Sequence, residues 1–184
     1  PIGIWTGLNP KAARIVQPLA QFAAAFPANL FFPLFVILVT HFKLNFEIYS
    51  APIMILGTQW YILFNVIAGA TAIPKELKLA ASNMQLKGLL KWRKYLIPAI
   101  MPYFITGLIT AAGGSWNASI VAEIIQWGHQ ELIAQGLGSY ITIATNEGNF
   151  AQIALGVIIM CLWVTIINII FWRPIYRLAT KRYQ

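Results

Sequence analysis

The sequence predicts an all-α membrane protein of about four transmembrane helices, carrying a cytoplasmic amphipathic helix and a short outer-face or re-entrant helical segment. Three observations lead there. Of the 184 residues, 59% are hydrophobic and only 10% charged, against roughly 25% charged in a soluble domain. The mean hydropathy is +0.68. The charges also fall in blocks and leave uncharged runs at 15–42, 48–74, 95–122 and 148–172, each longer than the ~20 helical residues that cross a hydrocarbon core. The runs are read as helices because backbone groups facing lipid must find hydrogen-bond partners within their own segment.

The first run holds Pro18, Pro27 and Pro33 and is expected to be kinked or broken. Pro52, Pro98 and Pro102 lie near the starts of their runs, where a missing N–H costs least. Gly3 and Gly7 form a short GxxxG, a small-residue spacing that lets helices approach. Gly113 and Gly114 either permit a close approach or end a span. The segment EIIQWGHQELIAQGLGSYITIATNE, 123–147, is too polar for a span and too apolar for a solvated loop. Short helices packed at the outer face or dipping into the membrane are expected there, with Gly136 and Gly138 as turn residues. Cys161 is alone and expected to be inert, and two distant histidines without a CxxC make no metal-ligand cluster. The first residue is Pro1, and PIGIWTG has neither the basic region nor the cleavage site of a signal peptide. The chain is expected to be part of something longer.

Orientation follows from Lys and Arg. With 75–94 in the cytoplasm, alternating spans place Lys11, Arg14, the six basic residues of that loop, Arg173, Arg177, Lys181 and Arg182 on the same side. Only Lys43 is then outside, which satisfies the positive-inside bias. The two ends of the segment are accordingly expected in the cytoplasm. The net charge of +8 is a topology signal, so the expected contact is membrane lipid and no nucleic acid. Trp92, Tyr95, Trp172 and Tyr176 suit an interfacial belt.

The stretch PKELKLAASNMQLKGLLKWRKYLIP, 74–98, is the most informative. Pro74 and Glu76 suit a first helical turn. Leu77, Ala80, Ala81 and Met84 fall at offsets of one apolar stripe, while Lys75, Lys78, Ser82 and Gln85 lie on another face. Gly88 then weakens the helix. One reading is an interfacial helix held to anionic lipid by its lysines, each worth about 1 kcal/mol. The other is a helix whose stripe docks into a groove of a partner.

The spacing supports the second. LAASNMQLKGLLKWRKYLIPAIMPYFITG resembles the cytoplasmic loop signature of permease subunits in binding-protein-dependent ABC importers, in which Glu-Ala-Ala is followed by a Gly and the loop closes with an apolar-Pro step. Ala80 and Ala81 match the two alanines, and Pro98 falls where the step is expected. Leu79 stands in place of the Glu and Gln85 in place of the Gly. PIGIWTG, QPLAQFAAAFPANLFFPLFVILV, WNASIVAE and GLGSYI resemble successive landmarks of the nitrate, sulfonate and taurine branch. The likeness covers nearly the whole chain, which looks like the C-terminal half of a longer or fused permease with one or more spans ahead of Pro1.

The resemblance implies a type I importer permease of the bacterial inner membrane, with 1–184 a single partial transmembrane domain and 74–94 its coupling loop. It implies three partners: an ATP-binding cassette ATPase dimer, a second permease half and an extracytoplasmic solute-binding protein. ATP would be held by the ATPase and no cofactor by this chain, which contains no GxxxxGK[ST] phosphate loop. The implied ATPase-coupling residues are Glu76, Leu77, Ala80, Ala81, Met84 and Gly88. Solutes of that branch are small anions and organosulfur compounds.

Four residues are candidates for the solute pathway: Asn29, Trp116, Ser119 and Glu123. Asn29 lies between Pro27 and Pro33, where a broken helix exposes carbonyls and an amide to solute, or where it simply caps the next helix. Trp116, Ser119, Ile120 and Glu123 share one helical face, whereas Asn117 lies ~100° around. Glu123 either sits at the outer interface or points into a polar cavity, since a charge facing lipid costs about 2.5 to 3.5 kcal/mol at a helix centre. Two other classes stay open. An intramembrane enzyme could pair His129 with Glu131, or Glu123 with His41, as acid and base, although no nucleophile or metal spacing accompanies them. A structural anchor subunit without a pathway is the other.

Overall fold

A computed structural model describes residues 1–128 and 130–183, with side chains as far as Lys181. Among them, three helices are long and apolar enough to cross a membrane: Phe46–Thr71, the continuous stretch Gly88–Ala122 and the stretch Phe150–Lys181. A fourth span results if the broken pair Pro10–Ala25 and Ala28–His41 is counted as one. The expected all-α membrane class is what is found.

In chain order the helices are α1 (Ile2–Leu8), α2 (Pro10–Ala25), a 3-10 turn (Ala28–Phe31) leading into α3 (Phe32–His41), α4 (Phe46–Thr71) and α5 (Lys75–Asn83). A short α6 (Gly88–Lys91) continues through a π-helical turn (Trp92–Leu96) into α7 (Ile97–Ala122). Then come strands β1 (Ile124–Trp127) and β2 (Gln130–Ile133), and helices α8 (Leu137–Asn146), α9 (Phe150–Ile167) and α10 (Arg173–Tyr183). A second π turn, Asn168–Trp172, joins the last two. Each π turn ends two residues before a proline, Pro98 or Pro174, where the ring withdraws a backbone donor from the ladder.

The first run is broken, as expected, but not at every proline. Pro18 lies inside α2, and the first run breaks only at Pro27, which N-caps the 3-10 turn. Pro52 and Pro102 are interior to α4 and α7; α4 begins two residues upstream of its uncharged run, and α7 continues a helical stretch that starts at Gly88. The segment 123–147 is also corrected. Its second half is the expected short helix, α8, but its first half is an antiparallel hairpin with Ile124 opposite Ile133 and Trp127 opposite Gln130. Gly128 turns it at φ +62, the left-handed conformation that two-residue hairpin turns require.

The described residues divide into two compact units. One comprises 1–23, 60–111 and 169 onward, and the other 24–59 and 112–168. In the first, Ile4, Val66, Ala70, Ile73, Ala81, Tyr95, Leu96 and Ile100 form the core. The short GxxxG is a true contact: a Cβ at Gly3 would lie 2.8 Å from Val66 Cγ1, and one at Gly7 2.6 Å from Ala70 Cβ. The Thr71 hydroxyl donates to the Gly7 carbonyl at 3.3 Å. Gly69 faces the Tyr103 ring and Gly107 the Ile62 backbone, whereas Gly113, singled out from sequence, meets nothing within 4 Å. Such close approach suits helices in lipid, where packing rather than apolar burial holds them together.

In the second unit, Val36, Val39, Phe46, Ile53, Ala122, Ile125 and Ala134 form the core. Ile125 of β1 is the largest of the fully buried side chains, 1% exposed, so the hairpin belongs to the packed interior of this unit. Gly156 of α9 rests against Tyr140 and Ile141 of α8. Met160 is also buried, while Ile158, Leu162, Trp163, Ile166 and Cys161 of α9 are exposed, the apolar surface expected of a helix meeting lipid.

Candidate functional site

The second unit contains a cavity of about 270 Å³ lined by Met54, Ser115, Trp116, Ser119, Glu123 and Leu137. Three of the four sequence-derived pathway residues therefore meet at one place. The fourth does not: Asn29 is exposed on the 3-10 turn and lines no part of this cavity. Ser115, Met54 and Leu137 were missed. Ser115 was readable, since it precedes Ser119 by four positions, on one helical face.

Helix α7 positions the polar side chains. The Ser119 hydroxyl, 6% exposed, donates to the Trp116 carbonyl at 2.8 Å. Ser115 donates to the Thr58 hydroxyl at 3.3 Å. Glu123 follows the last residue of α7, and its N–H still closes on the Ser119 carbonyl at 3.0 Å.

The Glu123 carboxylate is engaged by α8. It accepts the Ser139 backbone N–H at 2.8 Å, one of the donors that the first turn of a helix leaves unsatisfied. The N-cap residue is Gly136, which has no side chain to do this. A Cβ at Gly136 would overlap the Glu123 carboxylate, and one at Gly138 would overlap the Ser119 carbonyl. Thr142 adds a hydrogen bond to the Ile120 carbonyl at 2.5 Å. The helix N-terminus carries partial positive charge and offsets the carboxylate. The cavity wall thus combines hydroxyls, an indole and a carboxylate whose charge is already in use.

Of the His129 and Glu131 pair, only Glu131 is described. Glu131 accepts the Gln126 side-chain amide at 2.6 Å, and His129 lies outside the described residues, as does the side chain of Arg182. Among the described residues no group of three His, Cys, Asp or Glu side chains is placed to hold a metal ion.

The first unit carries the loop. Helix α5 starts after Pro74, with Glu76 in its first turn. Its apolar stripe is divided: Ala81 is 7% exposed and packs into the core with Ile73 and Tyr95, while Leu77, Ala80 and Met84 face outward, Met84 at 73% exposure. The helix ends in a Schellman arrangement. Leu86 N–H reaches the Ala81 carbonyl at 3.1 Å and Gln85 N–H the Ser82 carbonyl at 2.9 Å, with Gln85 at φ +49. Gln85 therefore holds the left-handed conformation for which a glycine is suited. Gly88, at φ +53, lies in open space before α6.

The family described as binding-protein-dependent transport system inner membrane component matches residues 1–182. The chain is 30% identical over 157 residues to the bicarbonate transport system permease protein CmpB of Synechococcus elongatus, covering 85% of this chain and 53% of that protein. It is 27% identical over 167 residues to the nitrate import permease protein NrtB of Leptolyngbya laminosa, covering 91% and 56%. A putative ABC transporter permease protein of Methanocaldococcus jannaschii is 30% identical over 125 residues, covering 68% and 45%. The chain spans about half the length of the curated relatives it matches.

Proposed function

This chain belongs to the family of binding-protein-dependent transport system inner membrane components, and from that premise we propose that it forms part of the solute pathway of an ABC importer and couples it to a separate cytoplasmic ATPase. The solute is a small anion or an organosulfur compound. Relatives named for bicarbonate and nitrate support the anionic class. ATP and its hydrolysis belong to an ATPase dimer, a second permease half completes the pathway, and an extracytoplasmic binding protein delivers the solute.

The observation that carries this reading is the divided face of α5. Leu77, Ala80 and Met84 are free to enter a groove of the ATPase. Ala81, on the inward side, locks the same helix to Val66 and Ala70 of α4 and to Tyr95, Leu96 and Ile100 at the start of the next span. A displacement of α5 is then transmitted to both helices as rigid bodies. The Trp116, Ser119 and Glu123 cavity is the corresponding candidate for the pathway's outer end. Residues 1–184 act as one partial transmembrane domain, with 74–94 as its coupling loop and both ends in the cytoplasm. Packing of Ile4 with Ala81 and Tyr95 supports placing the N-terminal end on the side of that loop.

The test is an outward-face substitution in the full-length protein. Ala80→Asp puts a charge into the proposed groove and should abolish co-purification of the ATPase and solute uptake together, with the amount of membrane-inserted permease unchanged. Normal uptake with the ATPase still bound would refute the coupling role.

A further inference from the structure

The first unit contains a second cavity, of about 400 Å³, between the C-terminal end of α1, one side of α5 and the start of α6. It opens beside the outward face of α5: Lys78 and Gln85 follow Leu77 and Met84 by one position each, ~100° around the helix. Its rim is formed by Lys78, Lys87 and Lys91 with Ser82 and Gln85, and its floor by Ala81 and Tyr95. The rim side chains are exposed, and the two floor residues are buried at 7% and 8%. No acidic residue lines the cavity, and none of the three lysines makes an ion pair among the described residues.

Three like charges around one mouth repel one another, and a multivalent oxyanion between them removes that repulsion. Lysine ammonium groups bind phosphate as compact point charges, and the Ser82 hydroxyl and Gln85 amide add neutral donors. The volume falls in the range of small-ligand sites, ≈ 300–1,000 Å³, with an apolar floor under the charged rim. The location narrows the source. Lys91 belongs to the Gly88–Ala122 stretch that can cross a membrane, and Leu89 and Leu90 beside it are 82% and 53% exposed. The mouth therefore sits at the end of a membrane helix, at the depth of lipid headgroups, where basic pockets between helices take anionic headgroups.

We infer that the Lys78, Lys87 and Lys91 pocket is a binding site for a phosphate-ester anion, filled at this depth by the headgroup of an anionic phospholipid. The bound phosphate bridges α5 and α6 from the side next to the coupling face and holds α5 against the core of its unit.

The test uses the full-length permease in its assembled complex, reconstituted in nanodiscs of phosphatidylcholine with increasing phosphatidylglycerol. Lipid retained by each copy is counted by native mass spectrometry. The triple variant Lys78→Gln, Lys87→Gln, Lys91→Gln should retain phosphatidylglycerol roughly a hundredfold more weakly, since each basic residue near an anionic surface contributes about a fivefold factor. The corresponding triple Arg variant should restore retention. Arg173→Gln with Arg177→Gln, outside the pocket, should leave it unchanged. In a second arm inorganic phosphate is added to the detergent-solubilised complex. Thermal stabilisation of wild type but not of the triple Gln variant, without a phosphatidylglycerol preference, would support the phosphate site and assign it to a soluble anion. Equal retention by wild type and the triple Gln variant, with no phosphate effect on either, would overturn the inference. So would a triple Gln variant that keeps its lipid and loses its ATPase, because the lysines would then meet an acidic protein surface.

Discussion

The carboxylate of Glu123 is hydrogen-bonded to the backbone N–H of Ser139 at 2.8 Å, across a separation of 16 residues. Helix α8 thereby receives at its third position the acceptor that its own N-cap, Gly136, has no side chain to provide. The Ser139 hydroxyl closes the remaining turn by accepting the Gly136 N–H at 3.0 Å. The segments WNASIVAE and GLGSYI are two halves of one joint.

Removing the acceptor should cost stability. Glu123→Ala leaves a part-buried N–H unpaired and is expected to lower unfolding stability by about 1–3 kcal/mol. Glu123→Gln keeps an oxygen in place and loses only the charge at the helix N-terminus, worth about 0.3–1 kcal/mol. Thermal unfolding of the purified full-length protein ranks the two, and equal midpoints for Glu123→Ala and wild type would remove the joint.

The close approach at Gly138 predicts a second asymmetry. Gly138→Ala drives a methyl into the Ser119 carbonyl, where backbone must move, and should cost about 1–3 kcal/mol. Gly113→Ala, with nothing within 4 Å, should be neutral or raise stability by up to about 1 kcal/mol through helix propensity. The same thermal measurement on both variants checks the contrast.

At the end of α5 the expected change has the opposite sign. Gln85 holds φ +49, a left-handed conformation costing a residue with a side chain about 1–2 kcal/mol. Gln85→Gly relieves it and raises stability by up to about 1 kcal/mol, after the added freedom of the unfolded chain is subtracted. Gln85→Val, branched at Cβ, should lower stability instead. Denaturation midpoints in the wrong order would mean that the turn is not formed.

Ala80 and Ala81 should separate docking from folding. Ala81 is 7% exposed within the core of its unit, so Ala81→Asp buries an unpaired charge at a cost of several kcal/mol. The amount of folded permease in membranes should fall steeply for Ala81→Asp and stay near wild type for Ala80→Asp. Quantitative immunoblotting of the two variants is sufficient.

Topology is tested with single cysteines in a Cys161→Ser background. A cysteine at Lys43, which turns the chain after α3 at φ 51, should be labelled by an impermeant maleimide from outside, and cysteines at Lys87 or Lys181 only after the cytoplasmic side is opened. Labelling of Lys43→Cys from the cytoplasm alone would invert the arrangement.

Hydropathy and charge spacing by themselves determined the membrane class, the positions of the apolar runs and the amphipathic helix after Pro74. Each is a local property: ~20 apolar residues suffice to span, and a 3.6-residue period places residues on a face whatever lies opposite. The same period put Trp116, Ser119 and Glu123 together, and one cavity now holds them. It could not reveal which way a face points. Ala81 looked equivalent to Leu77 and Met84 along the stripe, yet a small side chain at its edge is the one that fits against Tyr95 and Ile73. The hairpin strands, IIQW and QELI, are only partly apolar, and strands of four residues are stable only when packed on something else; that support is α3, whose Val36 and Val39 share a core with the buried Ile125. Glu123 shows the division most directly. The sequence by itself determined that a carboxylate stands at the end of a membrane helix, at the outer interface or facing a polar cavity; only the tertiary structure decided that its partner is the N-terminus of α8, because hydrogen bonds across 16 residues depend on a chain path that no local pattern encodes.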